Sequence, residues 1–262
     1  MKFNIKNLNV NLDEKPFLKN ISLSISKPEI ILLMGNNGQG KTTLLKTIMN
    51  HYSTKIVSGE IKFNNTEISS LNTYEIAKQG ILYIPQTPLE FDSIQTMSFL
   101  KNINEVNKKL SFSELYSHIK NFMLKYDLPE ELLTRFLNND FSGGQKKKME
   151  LLQASIIDPE LYLIDEIDSG VDFDSLKKIA QYINSLKKKK IFIIVSHNYE
   201  FIKLIKPQQI IIIDKGKIIK KGGYALINKV KKEGINSFLK SNIKTKDNVC
   251  FFIEKPTKAS KK

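Results

Sequence analysis

The sequence predicts an α/β fold: a mostly parallel β-sheet with helices on both faces, an antiparallel β edge and an inserted helical subdomain. Short apolar runs typical of buried strands alternate with helical patterns, as at 161–164, 175–186 and 191–195. This alternation favours βαβ units and a parallel sheet. From about 94 to 136 the apolar residues instead recur at helical spacing, which predicts the inserted subdomain.

Shorter segments extend this scheme ahead of the insertion. Residues 2–10 and 21–26 alternate apolar and polar side chains, which predicts strands of the antiparallel edge, and 58–63 predicts a further one. A short apolar strand at 80–84 ends close to Gln86, at the entrance to the helical stretch.

We predict a single domain over residues 1–240. Its core is formed by 1–90 and 150–240, and the helical subdomain lies at about 91–149. From 241 to 262 the chain is polar and rich in lysine, and we expect a mobile basic tail there. No internal repeat is visible, so a second copy of the domain within the chain is not expected.

Composition excludes several classes of protein. With 262 residues, 41% of them hydrophobic, the chain is long enough for a sizeable globular core. No apolar run approaches the length needed to cross a bilayer, and the chain opens on an alternating strand instead of a signal peptide. The single cysteine, Cys250, cannot form an internal disulfide or build a metal site, and it suits a reducing compartment.

The net charge of +14 is typical of proteins that bind nucleic acid or anionic membranes. However, Arg135 is the single arginine among 41 basic residues, and Ile and Asn are abundant as well. This composition indicates an AT-rich genome, which raises the lysine content whatever the partner is. Nucleic-acid sites rely on arginine and on interleaved aromatic residues. We therefore expect no nucleic-acid partner, although the charge alone does not exclude one.

The most informative motif lies between a predicted buried strand at 29–34 and a predicted helix at 43–49. It matches G-x-x-x-x-G-K-[ST], in which glycines let backbone N–H groups wrap a phosphate at the positive end of a helix. Lys41 is predicted to reach the β- and γ-phosphates of a nucleotide, and the Thr42 hydroxyl to bind Mg²⁺. The predicted nucleotide-binding residues of this segment are Gly35, Asn36, Asn37, Gly38, Gln39, Gly40, Lys41, Thr42 and Thr43.

Further candidates follow predicted strands, at the sheet edge where α/β proteins bind ligands. Asp165 and Glu166 come directly after the strand at 161–164. We predict that Asp165 holds Mg²⁺ and that Glu166 orients and deprotonates an attacking water. His197, after the next strand, is predicted to hydrogen-bond the γ-phosphate. Gln86 is predicted to contact Mg²⁺ or the water.

A second anion-binding motif, residues 141–145, lies in the predicted helical subdomain. Its serine hydroxyl and glycine N–H groups precede a helix that we predict to begin near Lys146. Because one γ-phosphate does not need two such motifs from one chain, this motif is predicted to serve the nucleotide of a second copy. The residues concerned are Ser142, Gly143, Gly144 and Gln145, to which we add Asp172 from a glycine turn that follows the carboxylates.

In this order the motifs resemble those of ABC-type ATPases, over residues 1 to about 240. The resemblance implies ATP and Mg²⁺ as cofactors, ATP hydrolysis, and two copies that close around two ATP molecules. It assigns a Walker A motif to 35–42, a Q-loop to Gln86, a signature to 141–145, a Walker B motif to 161–166, a D-loop to 169–172 and an H-loop to His197.

Within these ATPases the chain is similar to the SufC family, which serves the SUF system of iron–sulfur cluster assembly. The similarity lies in 128–135, 145–150, 165–172, 205–207 and 225–239, with Gln145 where this family often has glutamate. It implies SufB- and SufD-type scaffold proteins as partners, bound near the Q-loop and the helical subdomain. It also implies no insertion into a membrane, and a location in the bacterial cytoplasm or the plastid stroma.

Two other functions stay open. The ATPase subunit of a membrane transporter would co-purify with a multi-spanning protein. Against it, transporter ATPases usually have Gln-Arg-rich sequence after the signature and Pro-Thr after the Walker B glutamate, where this chain has 146–150 and 167–168. A basic nucleic-acid-binding ATPase would bind RNA or DNA in an ATP-dependent, salt-sensitive way. Such ATPases commonly carry two cassettes or long insertions, and this chain shows neither.

Overall fold

The computed structural model describes residues 1–107, 110–235 and 237–238. The predicted mobile tail and Cys250 lie outside these residues. The strands are β1 (Phe3–Leu12), β2 (Lys15–Ile25), β3 (Ile30–Met34), β4 (Thr54–Phe63), β5 (Thr66–Glu67), β6 (Ile81–Ile84), β7 (Leu161–Asp165), β8 (Ile191–Val195), β9 (Gln209–Asp214) and β10 (Lys217–Gly222). The helices are α1 (Lys41–Ile48), α2 (Thr73–Lys78), α3 (Thr96–Asn107), α4 (Phe112–Lys125), α5 (Gly143–Ile157), α6 (Phe173–Leu186), α7 (Tyr199–Ile205) and α8 (Ala225–Glu233), with a 3-10 helix at Glu130–Leu133.

A six-stranded sheet has the order β10-β9-β3-β8-β7-β6. Its strands are parallel except β10, which pairs antiparallel with β9. Every residue of β3, β7 and β8 is buried, which explains why these strands appear in the sequence as continuous apolar runs. A second, four-stranded antiparallel sheet has the order β2-β1-β4-β5. The predicted fold class is therefore confirmed.

Helices cover both faces of the parallel sheet. Successive side chains of each strand point to opposite faces, so strands that are buried throughout have an apolar surface on each side. On one face, Ile31 and Leu33 of β3 share a core with α1 and the antiparallel sheet. On the other face, Ile164 of β7 and Ile194 of β8 share a core with α3, α4, α5 and α6. The helical insertion is thus packed on the sheet face opposite α1.

The helix that follows the second anion-binding motif begins at Gly143, three residues before its predicted start near Lys146. The reason is a capping box: Ser142 Oγ accepts from the backbone N–H of Gln145, and the Gln145 side chain accepts from the N–H of Ser142. This helix, α5, also crosses the predicted subdomain boundary at 149, so the limits of the subdomain and of the domain stay a prediction.

Over the described ranges, no helix combines the length and the apolar character that a membrane span requires.

Candidate active site

Four neighbouring parallel strands deliver the predicted site residues to one edge of the sheet. The phosphate loop follows β3, Gln86 follows β6, Asp165 ends β7, and His197 comes two residues after β8. These strands are adjacent in the order β3-β8-β7-β6. Because the carboxyl ends of parallel strands lie at the same edge, residues distant in sequence converge there.

The phosphate loop curls around its own lysine. Lys41 is 5% exposed, and its Nζ donates to the carbonyl oxygens of Gly35 at 2.7 Å and Asn36 at 2.9 Å. Gly40, at the start of α1, has a φ of 110°. A side chain there would be strained and would place its Cβ 2.8 Å from Leu18 Cδ2, so the turn requires glycine.

Electrostatics join this lysine to the carboxylates across the site. Burial lowers the pKa of Lys41, while the negative charges of Glu166 and Asp165 raise it. The ammonium therefore lies close enough to both carboxylates for their fields to oppose the cost of burial.

A hydrogen bond from a neighbouring turn also holds the phosphate loop in place. The side-chain oxygen of Gln39 accepts from the Lys215 N–H at 2.6 Å, which anchors the loop to the β9–β10 turn.

The side chains of Asp165 and Thr42 are hydrogen-bonded to each other beside the phosphate loop. The Thr42 hydroxyl donates to Asp165 Oδ1 at 3.1 Å, and the Tyr83 hydroxyl donates to Oδ2 at 3.2 Å. Burial raises the pKa of Asp165, and these two hydrogen bonds lower it. A carboxylate beside a hydroxyl is a donor set that suits Mg²⁺, which takes few protein ligands and completes its shell with phosphate and water. Among the described residues, no group of three or more His, Cys, Asp or Glu side chains is arranged to hold a metal ion.

Glu166 lies in the turn that follows β7, with a φ of 45°. Its N–H donates to the carbonyl of Val195 at 3.0 Å, and its Oε2 accepts from Gln86 Nε2 at 2.8 Å. Two of the residues predicted to act on the attacking water are therefore in direct contact. A positive φ is uncommon for glutamate, and such backbone geometry is enriched at functional sites.

His197 lies within electrostatic range of the same groups. Desolvation and the Lys41 ammonium lower the pKa of His197, and the Glu166 carboxylate raises it. With a pKa below its ordinary value of about 6.5, the imidazole is neutral at pH 7 and has one N–H to donate. This protonation state suits a hydrogen bond to a phosphate oxygen.

A cavity of 330 Å³ borders the phosphate loop and Glu166. Leu12 and Phe17 of the antiparallel sheet also line it, and the Phe17 ring lies close to Gly40 of the loop. The side chain of Phe17, at the start of β2, was not predicted to belong to the site, since it gives no signal beyond the alternation of a strand. The lining residues are Leu12, Phe17, Asn37, Gly38, Gly40, Lys41, Thr42, Thr43, Gln86 and Glu166.

The signature residues do not line this cavity. Ser142 and Gly143 are exposed, whereas Gly144 is buried against α6, where a Cβ would come within 2.4 Å of Ser175 Oγ. Asp172 caps the same helix, its Oδ1 accepting from the Ser175 N–H at 2.8 Å. Ser142 and Asp172 are thus both exposed, and each caps a helix of its own chain.

Three consecutive lysines, Lys146 to Lys148, tie the first turns of α5 to its surroundings; we call them the lysine triplet. The Nζ of Lys146 pairs with Glu90 at 2.6 Å, and that of Lys148 donates to the Asp127 carbonyl at 2.8 Å. Lys147, 3% exposed, donates to the Gln86 carbonyl, and burial lowers its pKa. Nothing in the sequence indicated these contacts.

A larger cavity of 620 Å³ opens between the parallel sheet and the helical insertion; we call it the Q-loop groove. It reaches from Thr42 and Asp165 to the far side of Gln86. Most of its wall is apolar, with one carboxylate from α5. The lining residues that define it are Leu82, Tyr83, Pro85, Gln86, Thr87, Leu89, Phe91, Phe99, Leu137, Glu150 and Gln153, with Lys46 and His51 at one end.

Known proteins share both the sequence and the fold. The ABC transporter family model matches residues 18–169. A probable ATP-dependent transporter, ycf16, from Antithamnion sp. is 38% identical over 238 residues, covering 88% of this chain and 95% of the relative. The probable ATP-dependent transporter SufC of Escherichia coli is 34% identical over 240 residues, covering 88% and 96%. A dimeric bacterial ABC transporter cassette superposes with a TM-score of 0.73 at 20% identity, covering 85% of this chain and 98% of that one.

Proposed function

Since this chain belongs to the ABC ATPase family, is of the SufC type and hydrolyses ATP, we propose that it works as a Mg²⁺-dependent dimer which drives a SufB/SufD-type scaffold in iron–sulfur cluster assembly. One observation carries the catalytic part of this proposal: Lys41, Thr42, Asp165, Glu166 and Gln86 meet around the phosphate loop. These are the side chains that phosphoryl transfer to water requires.

Each residue has a distinct task in this proposal. Lys41 exchanges its loop carbonyls for the β- and γ-phosphate oxygens of ATP. Thr42 and Asp165 hold Mg²⁺, which when bound neutralises phosphate charge. Glu166, oriented by Gln86, positions the attacking water and accepts its proton. His197 donates its N–H to the γ-phosphate. In-line attack depends on positioning and charge neutralisation more than on covalent chemistry, which is what these residues supply from one chain.

The second copy supplies the signature. Ser142 and Gly143, at the exposed start of α5, form an anion site that does not line the cavity beside Lys41. A two-fold dimer would place this site against the γ-phosphate bound by the other copy, and the other copy would do the same in return. The dimeric cassette with a similar fold supports this arrangement.

The Q-loop groove is the proposed docking surface for the scaffold. It is lined mainly by apolar side chains and touches Gln86, so a partner seated there contacts a residue of the catalytic site directly. The name of the E. coli relative supports a SufB/SufD-type scaffold as the occupant, in the cytoplasm or a plastid stroma. Because both relatives are also named as transporters, the ATPase subunit of a membrane transporter is the second candidate.

A pull-down distinguishes these two partners. The Glu166→Gln variant, incubated with ATP and Mg²⁺, is expected to retain soluble SufB- or SufD-like proteins, identified by mass spectrometry. The double variant Lys41→Ala/Glu166→Gln, which lacks the phosphate-binding ammonium, is the control for ATP dependence. Recovery of a multi-spanning membrane protein instead would replace the scaffold by a transporter and leave the ATPase chemistry intact.

Phe17 is proposed to contact the adenine ring, since it is the aromatic side chain that lines the cavity beside the phosphate loop. Replacing Phe17 by alanine removes an aromatic contact worth about 1 kcal/mol and should raise the Kd for ATP about threefold to tenfold. Titration with a fluorescent ATP analogue measures this change. Phe112→Ala, a change of an exposed aromatic residue on α4, should leave the Kd unaltered. Equal affinities of the Phe17→Ala variant and the wild type would place the base elsewhere.

A further inference from the structure

Asp168 is a buried carboxylate with no task in the reaction as described so far. It lies two residues after Glu166 and is 8% exposed. Its Oδ2 accepts a hydrogen bond from Ser196 Oγ at 3.0 Å, and Ser196 is fully buried directly before His197. The same Ser196 oxygen accepts from the Asn198 N–H at 3.1 Å. Asp168 is thus joined, through one hydroxyl, to the backbone on the far side of His197.

These contacts bridge two turns that leave adjacent strands. The ends of β7 and β8 are paired, Asp165 opposite Val195, and the Glu166 N–H donates to the Val195 carbonyl. The pairing of β7 with β8 ends at this point. The hydrogen bond from Ser196 to Asp168 joins the two turns that follow the strands. The turn with Glu166 and the turn with His197 are therefore fixed relative to each other by a side chain.

Burying the Asp168 carboxylate at this position costs free energy of folding. Burial raises the pKa of Asp168, and hydrogen bonds from its own backbone N–H and from Ser196, with the charge of Lys147, lower it in part. Oδ1 has no hydrogen-bond partner in any other residue that the structure describes. A buried polar atom without a partner destabilises a fold and calls for an explanation. A serine or an alanine at 168 would avoid the cost, so the bond to Ser196 indicates a use beyond stability.

We propose that Asp168 is a positioning residue that acts through Ser196 to hold His197 in register with Glu166. The inference rests on the proposed roles of those two residues. When both side chains are aligned, the N–H of His197 can donate to the γ-phosphate while the carboxylate of Glu166 binds the water that attacks it. Neither Asp168 nor Ser196 lines the cavity beside the phosphate loop, so we expect ATP binding to depend little on this bridge.

The test separates turnover from binding. In the full-length protein with Mg²⁺, Asp168→Ala is expected to lower the kcat for ATP at least tenfold, because small displacements of aligned groups slow catalysis strongly, with the KM within about twofold of wild type. Asp168→Asn keeps an acceptor for the Ser196 hydroxyl and should recover most of the loss. Ser196→Ala should reproduce the defect, and the double variant should lose no more than the stronger single one.

Asp174→Ala is the matched control, since Asp174 is an exposed aspartate on the neighbouring helix α6. Its kcat should equal that of the wild type. A kcat within twofold of wild type for Ser196→Ala overturns the proposal, even if Asp168→Ala fails to fold. If kcat and ATP affinity fall together in both Asp168→Ala and Asp168→Asn, Asp168 has only a structural role and the proposal is overturned as well. Glu166→Gln in the same assay tests the proposed function separately.

Discussion

Replacing Glu166 by glutamine is expected to lower the kcat for ATP by at least a hundredfold while leaving ATP binding intact. A general base contributes about 10²- to 10⁴-fold to a rate, and glutamine cannot accept the proton of the attacking water. The substitution keeps the shape of the side chain and one oxygen that can accept from Gln86 Nε2. Release of phosphate as a function of ATP concentration measures kcat and KM together.

Two further observations make this prediction specific. Since hydrolysis normally allows the copies to separate, Glu166→Gln with ATP and Mg²⁺ should elute from size exclusion as a dimer. Glu130→Gln, a change of an exposed glutamate paired with Lys120 on the helical insertion, should behave as the wild type. If Glu166→Gln turns over ATP at the wild-type rate, Glu166 is not the base.

The second large effect concerns the composite site. Lys41→Ala removes the phosphate-binding ammonium, and Ser142→Asp places a negative charge where the γ-phosphate of the other copy is expected. Each variant alone should be nearly inactive. Mixed in equal amounts, they should regain up to about a quarter of the wild-type activity, because half of the dimers are then mixed and each contains one intact site.

The choice of aspartate at 142 protects the fold. Ser142 caps α5, and aspartate is about as good a helix cap as serine, so the helix start is retained. The control is a mixture of Lys41→Ala with Lys41→Ala/Ser142→Asp, which offers no intact site and should stay inactive. If mixed dimers form but the first mixture gains no activity over its separate parts, the signature does not complete the site of the other copy.

The elements of the core were predictable because each has a strong local signal. The strand β3, the phosphate loop and α1 follow from an apolar run, a glycine pattern and a helical run. The carboxyl ends of β6, β7 and β8 placed Gln86, Asp165 and His197 at one edge because parallel strands allow no other arrangement. By contrast α2 (Thr73–Lys78) was not predicted, since its six residues are too few for a clear period.

Residues that enter the site by tertiary packing left no such signal. Phe17 occupies an ordinary position in β2, and its place beside the phosphate loop depends on how the antiparallel sheet lies on the parallel one. Lys147 lies in a run of three lysines, yet it is buried and donates to the Gln86 carbonyl. The bond between Asp168 and Ser196 spans 28 residues and arises from the pairing of β7 with β8.

In the proposed dimer, the lysine triplet would make the control of ATP hydrolysis reciprocal between the two copies. Lys146 and Lys147 bind the segment around Gln86 and lie in the first turns of the helix that Ser142 caps, so we expect a displacement of the Q-loop to move Ser142 of the same chain. In the proposed dimer that serine faces the ATP held by the other copy. A scaffold protein seated on one copy would therefore set the rate at the opposite nucleotide. Two different scaffold proteins would give the two ATP molecules different lifetimes.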